Sequence, residues 1–296
     1  MEIIKLKYQS YSITVYHQQG KTNEKIVFLH GGALDNAMMS WKDVIELMGS
    51  QYDIYAIDLI GYGASDKPII VYSIPMYVEF LHNILQQLNI EKTHLVGLSM
   101  GGGISIGFSI KYPQMVDKLI LIDSFGLYER MPFHTLCRWF VNSRFNAKSY
   151  EWMGKSKRLV RWSIESSLFG DKKEITDELV TSLYNLVRES DCNKPWESFQ
   201  RYELGKKKMT TNLTSRLSEL KMPVLLFNGE KDSGVPVKFA VAASKVIQNS
   251  QLHIMRGCRH WAQKERPEEF VQTLKTFLLS DNAVQIPFVT AEKRAL

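Results

Sequence analysis

Ser99 stands at the centre of the run GLSMG, residues 97–101, and two further glycines follow this run. The apolar residues 93–97 predict a short buried strand, and residues 100–112 predict a helix that ends before Pro113. A residue at such a sharp corner has a strained backbone, and glycines two positions away on either side relieve the crowding. The spacing therefore predicts a serine hydroxyl that projects above the end of a strand, where it could attack an electrophilic carbon.

A nucleophilic serine needs a base, and His260 is the candidate. The chain has seven histidines, and His260 lies in a loop between the last predicted strand and a helix that begins near Pro267. If the strands are parallel, this loop reaches the same edge of the sheet as Ser99. An imidazole titrates near neutral pH, so it can accept the serine proton and later return it.

The acid that orients this base has three candidates. The predicted acid is Asp232, which lies in the loop GEKDSGVP, residues 229–236, after an apolar strand. Glu230 in the same loop is a weaker candidate. Asp123 ends the apolar run LILID, so its carboxylate would also reach the carboxyl edge of the sheet. The sequence alone leaves the choice between Asp232 and Asp123 open.

The run HGG, residues 30–32, ends another predicted strand in a sharp turn that exposes backbone N–H groups. Beside a nucleophilic serine such groups can hold a developing oxyanion. The predicted donors of this oxyanion hole are the N–H groups of Gly32 and Met100, with Ala33 as the substitute for Gly32. His30 itself is predicted to be a buried structural residue that makes hydrogen bonds.

The order of these motifs resembles the α/β-hydrolase family over nearly the whole chain. The run DLIGYGASDKP, residues 58–68, is similar to that family's Asp-x-x-Gly-x-Gly-x-Ser turn, for which the resemblance implies a structural role. The run GLSMGG is similar to esterases, monoacylglycerol-type lipases and carbon–carbon bond hydrolases. Ser99 argues against epoxide hydrolases and haloalkane dehalogenases, which have an aspartate there. Leu98 stands where carbon–carbon bond hydrolases often have an asparagine.

The resemblance implies a serine hydrolase with the catalytic residues Ser99, His260 and Asp232, in which water releases the acyl group. We expect a small-molecule substrate, a carboxylic ester with an apolar acyl chain, because the middle of the chain supplies many large apolar residues. A carbon–carbon bond hydrolase of vinylogous diketones and a thioesterase or acyltransferase stay open as alternatives. Outside the enzymes, the alternative is a ligand receptor with the same fold. No metal and no organic cofactor are implied.

Predicted strands and helices alternate from residue 25 onwards. Near-continuous apolar runs such as KIVFLH and KLILID indicate a parallel sheet with helices on both faces, and the first two strands are expected to form an antiparallel edge. The predicted fold is therefore of the α/β class: an α/β-hydrolase fold with a mostly parallel, eight-stranded sheet. The predicted strands cover residues 2–7, 11–17, 25–29, 52–57, 93–97, 118–122, 223–228 and 251–255.

The alternation stops after the sixth strand, where helical periodicity and four of the six tryptophans fill a segment that is too long for a loop. We interpret residues 127–221 as a helical cap (lid) over the carboxyl edge of the sheet. Residues 1–126 and 222–296 then form the core domain. The tail, residues 281–296, is expected to be partly disordered.

The net charge of +6 lies entirely in the cap, where residues 127–221 include 18 Lys or Arg and 12 Asp or Glu. No basic tract is long enough to indicate nucleic-acid binding. Aromatic residues are interleaved with the basic ones, as at Trp139 and Trp152. The cap is therefore either an ordinary solvated face or a surface that associates weakly with anionic membranes, and both interpretations stay open.

The composition, 45% hydrophobic and 23% charged, is that of a globular protein. No apolar run is long enough to span a bilayer, and the first 20 residues lack the features of a signal peptide. The three cysteines are far apart, which argues against a disulfide framework or a zinc site. A reducing cytoplasm is the expected compartment. The oligomeric state stays open.

Overall fold

The structure is a computed structural model that describes residues 1–189 and 191–280, and the predicted tail, residues 281–296, lies outside the described residues. The described chain forms one sheet from the strands β1 (Glu2–Tyr8), β2 (Tyr11–Gln18), β3 (Lys25–Leu29), β4 (Asp53–Ile57), β5 (Thr93–Leu98), β6 (Val116–Ile122), β7 (Val224–Gly229) and β8 (Ser250–Met255). The strand order is β1-β2-β4-β3-β5-β6-β7-β8. The pairs β1–β2 and β2–β4 are antiparallel, and the remaining pairs are parallel. This confirms the predicted fold and its antiparallel edge.

The described α-helices are α1 (Ala37–Met48), α2 (Ile74–Gln87), α3 (Met100–Lys111), α4 (His134–Val141), α5 (Arg144–Met153), α6 (Lys157–Ser167), α7 (Asp177–Val187), α8 (Lys194–Glu203), α9 (Lys238–Ser244), α10 (Ala262–Glu265) and α11 (Pro267–Leu279). Side chains of α2, α3 and α9 pack on one face of the sheet, and side chains of α1 and α11 pack on the other. Strands β5 and β7 are therefore buried at every position. None of the described helices has both the length and the apolar character that a membrane span requires.

Helices α4 to α8 lie between β6 and β7, where the sequence predicts the cap. Three of them begin at hydroxyl side chains that accept a backbone N–H from the first turn: Ser143 for α5, Ser156 for α6 and Thr176 for α7. Apolar side chains of α6 and α7 join the core on the side of α1, whereas Val141 of α4 and Phe199 of α8 join the core on the side of α2. The cap is thus packed onto both core layers.

One buried carboxylate ties the cap to the core. Glu265 accepts hydrogen bonds from the backbone N–H groups of Gly170 at 2.8 Å and Asp171 at 2.7 Å, directly after α6. It also accepts one from the N–H of Arg259 at 3.2 Å, in the loop that carries His260. Three backbone donors in two segments therefore depend on one side chain.

Replacing Glu265 with Ala should lower the free energy of unfolding by about 3 kcal/mol, because three part-buried N–H groups lose a charged acceptor. The measurement is urea unfolding followed by tryptophan fluorescence. The matched control is Glu268→Ala, which removes an exposed carboxylate two residues into α11. Equal unfolding free energies for the two variants would contradict this account of how the cap is held.

Candidate active site

Ser99 lies at the sharp turn between β5 and α3, with a positive backbone φ of 50°. Such a turn leaves no room for side chains beside it. A Cβ atom on Gly97 would lie 2.4 Å from the carbonyl oxygen of Gly101, and one on Gly101 would lie 2.5 Å from the carbonyl oxygen of Leu29. The glycines of the GLSMG run are therefore required by close backbone packing.

The three residues predicted as a catalytic set lie in one hydrogen-bonded chain. The Nε2 atom of His260 lies 2.9 Å from the Oγ atom of Ser99, and its Nδ1 atom lies 2.7 Å from the Oδ2 atom of Asp232. The other oxygen of Asp232 accepts the backbone N–H groups of Gly234 at 2.7 Å and Val235 at 3.1 Å. Since the carboxylate only accepts, Nδ1 carries the proton and Nε2 is free to accept the serine proton.

Burial and charge act in opposite directions on this pair. Burial alone would lower the pKa of His260, but the charge and hydrogen bond of Asp232 outweigh it and raise the pKa above the ordinary 6.5. Burial alone would raise the pKa of Asp232, yet the interactions with His260 and the Val235 N–H lower it below the ordinary value. Asp232 is therefore a carboxylate, and it stabilises a positive charge on His260.

Asp123, the competing candidate, lies at the end of β6 beside this chain. Its Oδ1 atom accepts the backbone N–H of Gly229 at 2.8 Å, and its side chain is fully buried. Burial first, and then the charge of Asp232, raise the pKa of Asp123 well above its ordinary value. Asp123 is therefore a neutral carboxylic acid next to the ionised Asp232. The hydrogen bond to His260 comes from Asp232.

Among the described residues, Asp123, Asp232 and His260 form one group whose ligand atoms all lie within 4.8 Å of one another, as a metal site would require. The Nδ1 atom of His260 and the Oδ2 atom of Asp232 already bond to each other. A cation there would have to displace that hydrogen bond. The expectation that the protein needs no metal remains a prediction.

The two predicted oxyanion donors lie next to Ser99. Gly32 lines the same cavity as Ser99, and Met100 is the first residue of α3, so its N–H has no carbonyl partner within the helix. A Cβ atom on Gly32 would lie 2.2 Å from the ring of Trp196, which belongs to the cap. Ala33, the predicted substitute, has a positive φ of 59° and lines the same cavity.

The remaining predicted residues lie outside the hydrogen-bonded chain. His30 is fully buried and accepts the backbone N–H of Leu59 at 3.1 Å through its Nε2 atom, which confirms its structural role. Asp58 accepts the N–H groups of Ala37 and Ala64, so the turn after β4 is also structural, as predicted. Glu230, the weaker acid candidate, instead accepts the N–H of Gly257 at the surface.

Two cavities meet at Ser99 and His260. The small cavity has a volume of about 260 Å³ and extends between the residue 31–34 turn and helices α5, α6 and α7. The large cavity has a volume of about 500 Å³ and extends under helices α4 and α8. Trp196 borders both cavities and packs against Phe199 with the two rings stacked 5.4 Å apart. The sequence does not identify Trp196 as a site residue, because it is one of several aromatic residues in the cap.

The walls of both cavities are mainly apolar. Among the described residues, no Lys or Arg lines either cavity, and Glu203 is the one lining carboxylate. Burial raises the pKa of Glu203, and its oxygens accept the N–H groups of Ile74 and Thr211 and the hydroxyl of Thr211. Glu203 is thus occupied in holding α8 against the start of α2.

Comparisons with known proteins support the fold and the family. The family model described as alpha/beta hydrolase fold matches residues 25–267. The 2-hydroxy-6-oxo-6-(2'-aminophenyl)hexa-2,4-dienoic acid hydrolase of Metapseudomonas resinovorans is 27% identical over 266 residues, which cover 90% of this chain and 87% of that protein. The 2-hydroxy-6-oxononadienedioate/2-hydroxy-6-oxononatrienedioate hydrolase of Escherichia coli is 29% identical over 272 residues, 89% of this chain and 90% of that protein.

Among solved structures, a serine hydrolase involved in carbazole degradation (CarC) superposes with a TM-score of 0.78 at 23% identity. The superposition covers 94% of this chain and 98% of that one. This likeness concerns the fold, and the cap is included in it because nearly the whole chain is covered.

Asp232→Asn should lower the reactivity of Ser99 at least about tenfold more than Asp123→Asn, because only Asp232 bonds to His260 and carries the charge that stabilises it. The measurement is the rate at which a fluorophosphonate probe labels Ser99, which requires no knowledge of the substrate. The Asp123→Asn variant is the matched control, since both changes replace a buried carboxyl with an amide. The reverse ranking would assign the acid to Asp123.

The labelling rate should rise with pH along an acid limb whose midpoint lies above 6.5, the ordinary value, because His260 must be neutral to accept the proton and Asp232 raises its pKa. Removing that charge in Asp232→Asn should move the midpoint to lower pH while the maximal rate falls. Asp123→Asn should leave the midpoint in place, because Asp123 is already neutral. A midpoint that Asp232→Asn leaves unchanged would show that another group controls the limb.

Proposed function

This chain belongs to the α/β-hydrolase family and is a serine hydrolase, and from that premise we propose that it cleaves an uncharged, largely apolar carboxylic ester. The observation that carries the proposal is the pair of apolar cavities that meet at Ser99 and His260 and that no described Lys or Arg lines. The carbonyl carbon of an ester carries an acyl chain and an alkoxy group, and each of the two cavities could accommodate one of them. A charged substrate would lack a counter-ion on either side.

In the proposed mechanism, Ser99 attacks the ester carbonyl while His260 takes the hydroxyl proton through Nε2. Asp232 keeps the imidazole in the tautomer and orientation that this transfer requires, and it stabilises the imidazolium that forms. His260 then donates the proton to the departing alkoxide, so the alcohol leaves and an acyl group remains on Ser99. Water, deprotonated by His260, attacks the acyl-enzyme, and His260 then returns this proton to the Oγ atom of Ser99 as the acid leaves.

The backbone N–H groups of Gly32 and Met100 would hold the negative oxygen of both tetrahedral intermediates. Such a donor typically lowers the barrier by about 3 kcal/mol. The Met100 donor has the added advantage of the positive end of the α3 dipole. Trp196 covers Gly32 and closes the site from the cap side, which would keep bulk water away from the oxyanion.

A carbon–carbon bond hydrolase of vinylogous diketones is the second candidate. Both curated relatives are named as hydrolases of 2-hydroxy-6-oxo-dienoic compounds, and these comparisons support the second candidate better than the ester. A 2-hydroxy-6-oxo-dienoate is the enol form of a vinylogous diketone, and water would cleave it next to the ketone. Its carboxylate, however, would enter cavities that no described Lys or Arg lines. The cavity walls therefore favour the ester.

A substrate panel separates the two candidates. We expect kcat/KM for p-nitrophenyl esters to rise with acyl chain length, since each buried methylene adds about 0.8 kcal/mol of favourable transfer free energy. Hydrolysis of a 2-hydroxy-6-oxo-dienoate can be followed by the loss of its absorbance. We expect its kcat/KM to be at least about tenfold lower than that of the best ester, because its carboxylate loses solvation without gaining a partner. A preference for the dienoate would instead establish the second candidate.

Ser99→Ala should lower kcat for the best substrate by roughly three orders of magnitude or more, because both steps of the mechanism pass through this hydroxyl. The control is Ser109→Ala, which removes a buried hydroxyl further along α3 that lines neither cavity. If Ser99→Ala keeps a tenth of the wild-type rate on either substrate class, the covalent mechanism is wrong for that class.

A further inference from the structure

The cap exposes a contiguous set of large apolar side chains on and around α4. We name this set the aromatic face; it consists of Phe133, Leu136, Trp139, Phe140 and Phe145. Phe133 is 81% exposed and Trp139 is 58% exposed. Leu136, Trp139 and Phe140 follow the i, i+3, i+4 spacing that places side chains on one face of a helix. The ring of Phe145 lies 6.1 Å from that of Trp139, which extends the face onto α5.

The fold does not need this face for its own packing. The inner face of α4 is already occupied, because His134 and Val141 are buried. An exposed apolar side chain alone requires no explanation, but a contiguous patch of this kind marks an interaction surface. The outward side of α4 is therefore available to a partner.

Basic side chains flank the aromatic face. The backbone carbonyls of Leu204 and Gly205 lie against α4, where they bond to Arg138 at 2.7 Å and His134 at 2.8 Å. This contact places the turn that carries the exposed Lys206 beside α4, on the side of His134.

Beside Phe145 of the aromatic face, Arg144 and Lys148 are exposed on α5. Residues 133–162 contain seven Lys or Arg and a single acidic residue, Glu151. The segment that carries most of the aromatic face is therefore positively charged.

The aromatic face is also the outer wall of the large cavity. Leu136, Trp139 and Phe140 line that cavity, whose inner end is Ser99 and His260. A molecule that leaves an apolar phase at this face would therefore meet a continuous apolar path to the nucleophile.

We propose that the aromatic face docks on the surface of an anionic phospholipid bilayer and that the large cavity receives its substrate from that surface. Exposed Trp and Phe side chains suit the boundary between headgroups and acyl chains, and the flanking Lys and Arg suit anionic headgroups. A second copy of this chain would bring the same positive charge to the contact and is disfavoured. The substrate route rests on the proposed function, whereas the docking itself does not.

The test is co-sedimentation of the full chain with vesicles of phosphatidylcholine alone or mixed with phosphatidylglycerol. We expect sedimentation with the anionic vesicles at about 0.01 M salt, where the Debye length is about 30 Å, and release at about 1 M, where it is about 3 Å. Neutral vesicles should retain little protein. Brominated lipid should quench tryptophan fluorescence in the bound state, and Trp139→Phe should remove most of this quenching.

Two double variants test the two parts of the surface. Phe133→Asn with Phe145→Gln removes apolar side chains, and Asn suits the left-handed backbone at residue 133. Lys206→Gln with Lys207→Gln removes charge. Each should lower the fraction of sedimented protein at least about fivefold, as expected for weak attachment by a few residues.

The matched controls carry substitutions of the same two kinds on the core domain instead of the cap. Leu47→Gln with Val246→Gln removes exposed apolar side chains, and Lys7→Gln with Lys21→Gln removes exposed charges. These controls should sediment like the wild type. Fluorophosphonate labelling without vesicles should be equal in the four double variants, none of which changes a residue that lines either cavity, so a failure of docking is distinguishable from a failure of the proposed hydrolysis.

Several outcomes would overturn the proposal. They are equal sedimentation with neutral and anionic vesicles, no sedimentation at low salt, and equal losses in the control variants. Sedimentation without vesicles that Phe133→Asn with Phe145→Gln abolishes would show that a second copy covers the aromatic face instead.

Discussion

The backbone conformation of Ser99 is the constraint on which the rest of the site depends. A serine with a positive φ is strained, and such strain persists only where the surroundings fix it. Here the N–H of Ser99 donates to the carbonyl of Ile122 at 2.9 Å, and its own carbonyl accepts the N–H groups of Gly103 at 3.1 Å and Phe125 at 3.0 Å. Strand β6, helix α3 and the loop that follows β6 therefore hold the corner together. The nucleophile is positioned by backbone bonds from three directions, without help from its own side chain.

The two buried carboxyl groups follow from the same geometry. Adjacent parallel strands bring the residues after β6 and β7 to one place, so Asp123 and Asp232 lie side by side in an environment where two negative charges cannot coexist. The imidazole of His260 stabilises the charge on Asp232, and Asp123 stays neutral. Asp123 can then accept the N–H of Gly229 without repelling the negative charge of Asp232, which stabilises His260.

Most of the site could be predicted from the sequence because its residues stand at strand ends. In a parallel sheet the chain positions of Ser99, Asp232 and His260 already imply a shared edge, and the glycines at positions 97 and 101 indicate the sharp turn. The sequence predicts Asp232 as the acid but leaves Asp123 as a competitor, because both follow neighbouring strands, and the loop after β7 decides which of them reaches His260. Trp196 could not be identified. Amphipathic periodicity predicts that a cap helix packs, but it does not tell which aromatic side chain lies over Gly32.

Positive charge is distributed differently over the surface of the cap and over the walls of the two cavities. The excess of six basic residues lies in the cap, yet no described Lys or Arg lines either cavity. Under the two proposals made above, the cap would attract an anionic surface, and the cavities would offer no positive side chain to an anionic group beside Ser99. A substrate carboxylate would leave water for apolar walls and the neighbourhood of Asp232, where it would be opposed by both desolvation and like charge. The proposed anionic surface and the proposed uncharged substrate are compatible, because exposed residues of the cap carry the positive charge and residues of both the cap and the core line the cavities.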